Sequence, residues 1–315
     1  MVLSGIGIGL WGASLAAADT NSSTAICCGV EPEIPRHRIM NTGYVAARVN
    51  PLGLFLQPNL QYRYRLYKGE GALLRDNFLA IGLIPTLSPA FGRIGAQVDV
   101  QPVAALKFTG AYERGYYFGT FNLFQSFPGA GSDFSDTAIA DNGEQELNYK
   151  TDFTQVTLGG LVQLKVGPIA VRNNFRAVHF NADIVRAGDT TFYDQFFDVL
   201  VPNDSWVLFN DTDVMFEIKP GFLVGVRYHI ASPRYKARHF APGDDTDVNN
   251  SIQRLGLFAA YRLSGDDGSK FHSPTIVAST QWHLEHRWRT GADVSQAVPL
   301  LFVGLTWSGD LWSKK

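Results

Sequence analysis

The chain has 315 residues, of which 45% are hydrophobic and 18% charged, and its formal net charge is -2. A protein that neutralises nucleic-acid phosphates needs a clear basic excess, so this balance argues against a nucleic-acid partner. The 31 glycines and the 13% aromatic content favour strands and tight turns over helices.

The N-terminus carries a long apolar run. The sequence MVLSGIGIGLWGASLAAA ends in the small residues Ala16 to Ala18, which is the pattern at the cleavage site of a secretory signal peptide. We therefore expect a signal peptide over residues 1–18 and, after export, a periplasmic leader over residues 19–43.

Two further motifs in this region carry little functional weight. Gly7, Gly9 and Gly12 have the spacing of a dinucleotide-binding turn, but only six residues precede Gly7, too few for the strand that this motif requires. Cys27 and Cys28 are the only cysteines of the sequence, and they have the spacing of neither a zinc site nor a disulfide framework. We predict no metal and no other cofactor.

After the leader, polar and apolar residues alternate along one segment after another. In Leu54–Tyr67 the leucines, Tyr62 and Tyr64 fall on one face, and the glutamines and arginines fall on the other. Because successive side chains of a strand point to opposite faces, each such segment builds one apolar wall and one polar wall. The predicted strands are 53–67, 77–100 (long, with a break around Pro89), 103–116, 153–166, 169–182, 206–218, 221–231, 252–264, 274–288 and 297–308.

Short turns and long loops separate these strands. Four of the turns contain a proline, which cannot donate to a sheet ladder: Asn50-Pro51, Gln101-Pro102, Gly167-Pro168 and Lys219-Pro220. The long polar loops are 68–76, 118–150, 183–205 and 232–251. We expect the proline turns at one end of the sheet and the long loops at the other.

Amphipathic strands, short turns and long loops are together typical of transmembrane β-barrels. The chain resembles bacterial outer-membrane β-barrel proteins over most of its mature length. Six aromatic residues resemble members of the interfacial girdles of that family: Tyr62, Tyr64, Tyr112, Trp282, Trp288 and Trp307.

The resemblance implies an all-β, antiparallel, up-and-down barrel over residues 44–315, with short periplasmic turns and long extracellular loops. About ten strands are expected, or twelve if the short run Tyr44–Val49 also pairs. It further implies location in the outer membrane, contact with its lipid and lipopolysaccharide, and assembly by the barrel-assembly machinery.

Closure and polarity follow from the surrounding lipid. Lipid offers no hydrogen-bond partner, so a sheet in a bilayer must close on itself to leave no unpaired edge. The apolar wall then faces lipid, while arginines, glutamines and lysines line a wet lumen.

The stretch QWHLEHRWR, Gln281–Arg289, is the candidate for a metal site. On a strand, however, His283 and His286 point to opposite faces, and the two-histidine metalloprotease motifs depend on a helix. We therefore predict a polar row that faces the lumen without a metal: His283, Glu285, Arg287 and Arg289.

Two acidic clusters are weaker candidates. One is a loop with alternating oxygen ligands: Asp244, Asp245, Asp247 and Asn249. The distant bidentate glutamate of a calcium loop is absent from it, so we predict a solvated loop. In the other cluster, Asp211 and Asp213 share a strand face, but no histidine stands beside them in the sequence. A rim-active hydrolase with Asp211, Asp213 and His229 is therefore kept as an alternative.

Charge of opposite sign is expected across the outer mouth. If the strand directions follow the proline turns, these basic residues lie toward the long-loop end: Arg63, Arg65, Arg227, His229, Arg254, Arg287 and Arg289. The longest loop carries Asp133, Asp136 and Asp141. The hypothesis is that this loop folds over or into the mouth and narrows it, since such constrictions select solutes by size and sign. Alternatively, the arginines contact anionic headgroups or one another.

The sequence thus predicts a narrow porin-like channel for small solutes or ions, and not an enzyme. The alternative from another class is a non-conducting barrel that docks an envelope export, adhesion or motility complex through its loops. In that case other envelope proteins are its partners.

Overall fold

The computed structural model describes residues 34–263 and 272–314. The strands of this part are β1 His37–Val49, β2 Gly53–Tyr64, β3 Phe78–Leu83, β4 Thr86–Leu87, β5 Phe91–Val103, β6 Leu106–Tyr117, β7 Ser126–Phe127, β8 Thr151–Val166, β9 Ile169–Ala182, β10 Thr191–Asp194, β11 Val199–Pro202, β12 Ser205–Lys219, β13 Phe222–Pro233, β14 Ile252–Arg262, β15 His272–Glu285 and β16 Leu300–Lys314. The helices are α1 Gly71–Arg75 and α2 Asp136–Glu144, with a 3-10 turn at Ala237–His239.

Within the described ranges, neither helix is long and apolar enough to cross a bilayer. The predicted signal peptide and both cysteines lie outside the described residues.

Twelve strands close into one antiparallel barrel, in which β3 and β4 are two parts of a single interrupted strand. The first strand, β1, pairs with both β2 and β16, which closes the sheet. The predicted fold is confirmed, with the higher of the two expected strand numbers.

The barrel begins earlier than the sequence predicts. β1 starts at His37 rather than Tyr44, inside the expected leader, and His37 pairs with Tyr64. Asn41-Thr42-Gly43 has the composition of a turn, which hides the alternation there. In the barrel Gly43 leaves room for Trp307, because a Cβ at this position would lie 2.7 Å from the indole ring.

The segment 77–100 forms two strands instead of one. β3 and β4 run as far as Leu87, and β5 returns antiparallel from Phe91. The N–H of Ser88 donates to the carbonyl of Phe91 at 2.9 Å and closes a turn between them. Because of this additional reversal, β1 and β2 run in the direction opposite to the predicted one. The turn Asn50-Pro51 therefore lies at the same end of the barrel as the long loops, and loop 68–76 lies at the other end.

The two ends of the barrel differ in the length of their connections. The loop end carries the connections 118–150, 183–204, 234–251 and 286–299. The turn end carries the short connections 104–105, 167–168 and 220–221, the longer connection 65–77, the start of β1 and the end of β16. Long loops of such barrels face the exterior of the cell, so the loop end is the outer mouth.

The outer wall of the barrel is apolar. Leu164, Val162 and Leu257 are 62%, 56% and 57% exposed, and outward positions of the neighbouring strands carry similar side chains. Exposed apolar surface of this extent is matched by lipid and not by water. The outward orientation of these residues is as predicted. One aromatic residue departs from the expected girdles, since Trp288 lies in a loop and packs against Phe134 at 5.9 Å.

Candidate functional site in the outer mouth

A second, small sheet lies in the outer mouth. It consists of β7, β10 and β11, which come from the loops 118–150 and 183–204. We call residues 123–134 and 190–203 the plug. Its aromatic side chains are buried: Phe124, Phe127, Phe134, Phe192, Tyr193, Phe196 and Phe197.

The barrel wall supplies the apolar partners of the plug. Buried aromatic side chains line the wall near the loop end: Phe55, Phe91, Tyr117, Phe153, Phe180 and Phe209. Phe196 packs edge-on against Phe55 at 4.8 Å, and Phe197 stacks on Phe209 at 4.6 Å. The expectation of a lumen that is wet throughout is therefore wrong at the loop end, because plug and wall build a dry aromatic core there.

One carboxylate anchors the plug to the wall. Asp198 is 0% exposed and sits between β10 and β11, at a φ of 61°. Tyr193 donates its hydroxyl to Oδ1 at 2.9 Å, and Nε of Arg289 donates to Oδ2 at 3.2 Å. Three further nitrogens surround Oδ2 at 3.7 to 3.8 Å: Arg254 Nη1, His283 Nε2 and His286 Nε2. We call Arg254, His283, His286 and Arg289 the wall cluster.

The protonation states of Asp198 and His286 favour the attachment of the plug to the wall. Burial alone would raise the pKa of Asp198, but Arg289 and the two histidines hold it well below its usual range. Burial lowers the pKa of His286 to about 4, although Asp198 opposes the shift. Asp198 is therefore ionised and His286 neutral at neutral pH.

His283 and His286 face each other, contrary to the prediction. β15 ends at Glu285, so the alternation of the strand does not extend to His286, and the two ring centroids are 5.3 Å apart. The pair is still poorly suited to a metal. The backbone N–H groups of Trp288 and Arg289 donate to Nδ1 of His286 at 3.1 and 3.2 Å, so the neutral ring carries its proton on Nε2. No group of three or more His, Cys, Asp or Glu in the described part of the chain is arranged to hold a metal ion.

The longest loop folds over the mouth and is attached to loop 286–299 at two points. Arg289 and Asp136 form a bidentate pair, with both N–O distances at 2.7 Å. Arg287 donates to the backbone carbonyls of residues 130–132. The other predicted acidic residues have different surroundings: Asp133 accepts the N–H of Ser135 at 2.8 Å, and Asp141 lies in α2.

Arg63 and Arg65 do not belong to the outer mouth. Arg63 lies toward the turn end, donates to Gln61 at 2.9 and 3.0 Å, and stacks on Phe78 at 4.3 Å. Arg65 follows β2 at the same end, where its N–H donates to the carbonyl of Arg36 at 2.9 Å. Their predicted position is wrong because the break expected around Pro89 is a full reversal of the chain.

Farther into the lumen, charged side chains pair across the strands. Nη2 of Arg227 donates to Asp213 at 2.8 Å, and Nη2 of Arg176 donates to Asp211 at 3.1 Å. Asp211 also binds Nδ1 of His229 at 2.7 Å, a partner that strand pairing supplies and local sequence does not. Directly paired residues on four neighbouring strands form one row: Asp211, His229, Arg254 and His283.

The row lies below the plug and away from the rim. Phe209, whose ring centroid is 6.4 Å from that of His229, separates the histidine from the plug residue Phe197. A rim-active hydrolase needs its carboxylates and histidine at the water-exposed edge, and the structure places them inside.

A closed antiparallel barrel with an apolar outer wall satisfies its backbone within lipid. The protein is an outer-membrane β-barrel. The sequence matches no protein-family model and no curated protein.

Several solved structures share low overall similarity with this barrel. OccAB1 of Acinetobacter baumannii is 11% identical, with a TM-score of 0.42 over 82% of this chain and 58% of that one. CdiB from Acinetobacter baumannii is 7% identical, with a TM-score of 0.41 over 87% of this chain and 60% of that one. The translocator domain of the autotransporter NalP from Neisseria meningitidis is 9% identical, with a TM-score of 0.38 over 87% of this chain and 88% of that one. The chain thus spans less than two thirds of the length of the first two proteins.

The remaining predicted site residues of the outer-membrane barrel join its loops together. Asp244 accepts the N–H groups of Ala241 and Gly131 at 2.8 and 3.1 Å, and so connects loop 234–251 to the plug. Glu285 accepts from the side chains of Asn249 and Gln253. These carboxylates have structural partners in the protein.

Sequence reasoning missed two important residues, Asp198 and Arg48. Arg48 faces inward at the loop end and donates to the carbonyls of Phe196, at 3.0 Å, and Gln195. A signal was present in the sequence YDQFFDVLV, residues 193–201, where an apolar run interrupts a loop. Loops that lie on a surface are polar, so such a run indicates a loop that packs inward.

Proposed function

We propose that this barrel is a gated channel for small solutes or ions, and that the plug is its gate. The observation that carries the proposal is a charged lumen closed at its outer end by loop segments. The plug belongs to none of the twelve barrel strands, so its withdrawal leaves the barrel hydrogen bonds intact.

The charged lining supports a passage rather than a permanent core. Charges buried in a packed interior are often no more stabilising than apolar residues of similar volume, so their presence favours a role other than stability. Several buried donors and acceptors of the lumen lack hydrogen-bond partners among the described residues: Arg93 Nη2, Arg176 Nε, His229 Nε2 and Arg254 Nε. Buried polar groups of this kind are usually satisfied by water, which suits a hydrated pathway.

Planar-bilayer recording of the purified barrel tests the proposal. In the test variant a short Gly-Ser linker replaces residues 190–203, the second segment of the plug. In the control variant it replaces 245–247, a loop tip whose loss leaves the contact between Asp244 and Gly131 of the plug in place. We expect the plug variant to conduct more than the wild type and the control to behave like the wild type. A heat-modifiability gel verifies that each barrel is folded. A folded plug variant that carries no more current than the wild type would contradict the gate and favour the docking alternative.

A further inference from the structure

Asp198 occupies a position on the barrel wall where a soluble anion would be held. We propose that the wall cluster is a binding site for small oxyanions, carboxylates or phosphates, and that Asp198 fills it until the plug withdraws. This inference rests on the proposed gate and names the ligand class of the site behind it.

The donors of the site do not leave with the plug. Arg254 and His283 are directly paired on the barrel strands β14 and β15. His286 and Arg289 follow β15 in loop 286–299, which is not part of the plug. Withdrawal of Asp198 therefore leaves these groups in place and removes their carboxylate.

The donor capacity of the cluster exceeds what Asp198 uses. Nε and Nη1 of Arg254, Nε2 of His286 and the one ring nitrogen of His283 that carries a proton have no hydrogen-bond partner among the described residues, and these side chains are at most 3% exposed. The carboxylate of Asp198 is restricted by its backbone, and its Oδ2 stays 3.7 to 3.8 Å from three of these nitrogens. A free oxyanion has no such tether and can approach guanidinium donors to hydrogen-bond distance.

The charge of the site selects an anion over a cation. When Asp198 withdraws, Arg254 stays on the wall and Arg289 stays in loop 286–299, and Arg48 loses the plug carbonyls that it binds. Asp136 then compensates one of these three guanidinium charges through its pair with Arg289. His286 presents an N–H at Nε2, which suits an anion and repels a metal cation.

Ion selectivity of Asp198→Asn in planar bilayers tests the site. This substitution keeps the volume of the side chain and removes its charge, and Asp189→Asn is the matched control because Asp189 lies in the same loop and accepts from Ser126 at 2.5 Å. In a potassium chloride gradient we expect the reversal potential of Asp198→Asn to show chloride preference. Adding Arg254→Gln should reduce that chloride preference about fivefold. A unit charge about 8 Å from the ion, at an effective dielectric constant of about 40, changes the energy of the ion by an amount that corresponds to this factor.

Two probes distinguish the sources of the oxyanion. Acetate and inorganic phosphate are added in turn to the chloride current of Asp198→Asn, and the ion that binds the site reduces the current at the lower concentration. Arg254→Gln should abolish this block. Potassium preference in Asp198→Asn, or chloride current that neither probe reduces, would overturn the anion site.

A binding measurement separates this inference from the gate. Calorimetric titration of acetate and phosphate into the barrel with residues 190–203 replaced reports the site without any current. Binding without conductance would support the site and refute the channel, whereas conductance with neither binding nor anion preference would refute the site and support the channel.

Discussion

Replacement of Phe196 by alanine should release the plug while leaving the barrel folded. The ring is 0% exposed and packs against Phe55, Phe91 and Phe197 at centroid distances of 4.8, 6.0 and 5.0 Å, with the Arg93 guanidinium 4.5 Å from its centroid. Removal of a fully buried phenylalanine ring costs about 3 kcal/mol or more, and that shift raises the undocked fraction of the plug about a hundredfold.

Hydrogen–deuterium exchange in detergent micelles measures this change. We expect the amides of residues 190–203 to lose protection in Phe196→Ala, because exchange follows the free energy of local opening. The amides of β14 and β15 should keep their protection, since the barrel ladder is not altered. Phe121→Ala is the control, as this phenylalanine is 68% exposed and its loss removes little packing. Unchanged protection in Phe196→Ala would show that the aromatic core does not hold the plug.

Three further predictions concern the loops and the wall. His286 has a pKa of about 4 in the folded protein against 6.5 when unperturbed, so the unfolded chain binds more protons between these values. The free energy of unfolding should therefore fall by about 3 kcal/mol as the pH drops from 6.5 to 4, and His286→Gln should flatten this part of a pH series of urea titrations. A Cβ at Gly95 would lie 2.1 Å from a carbonyl oxygen of the neighbouring strand, so Gly95→Ala should destabilise the barrel by about 1–3 kcal/mol in urea. Gly110→Ala should not destabilise the barrel, because a Cβ there has no neighbour within 4 Å. Equal urea midpoints for the two variants would contradict the crowding at Gly95. Leu257→Arg on the lipid face should cost about 2–4 kcal/mol in lipid vesicles, while Val185→Arg in an exposed loop should cost almost nothing, and equal costs would argue against a bilayer at Leu257.

The outward-facing residues of the barrel wall were predictable because strand alternation can be read from neighbouring positions in the sequence. Residues such as Leu158 and Leu257 point outward by strand alternation alone, whatever their neighbours are. Strand direction is less local, since it depends on every reversal before it. The single reversal after Leu87, which the sequence indicated only as a break around Pro89, was enough to move Arg63 to the opposite end of the barrel.

The outer mouth was predictable only where charge indicated it. Opposite charges on the longest loop and the wall led to the pairing that the structure shows between Asp136 and Arg289. The packing of loop 183–204 depends on tertiary contacts between Phe196, Phe197 and wall residues distant in sequence. Similarly, His286 turns inward because β15 ends one residue earlier, a boundary that alternation does not mark.

The composition of the outer mouth itself argues for a plug that moves. The aromatic core would be sufficient to fill the barrel end, and an apolar side chain at position 198 would avoid the cost of a buried carboxylate. The chain instead places an ionised Asp198 against the wall cluster, where its loss from the site leaves uncompensated guanidinium groups. Such an arrangement makes the docked state depend on charge, so that an ion or a proton can shift it, whereas a purely apolar contact would respond to neither. The aromatic packing then sets how tightly the mouth is closed, and the ion pairs set what can open it.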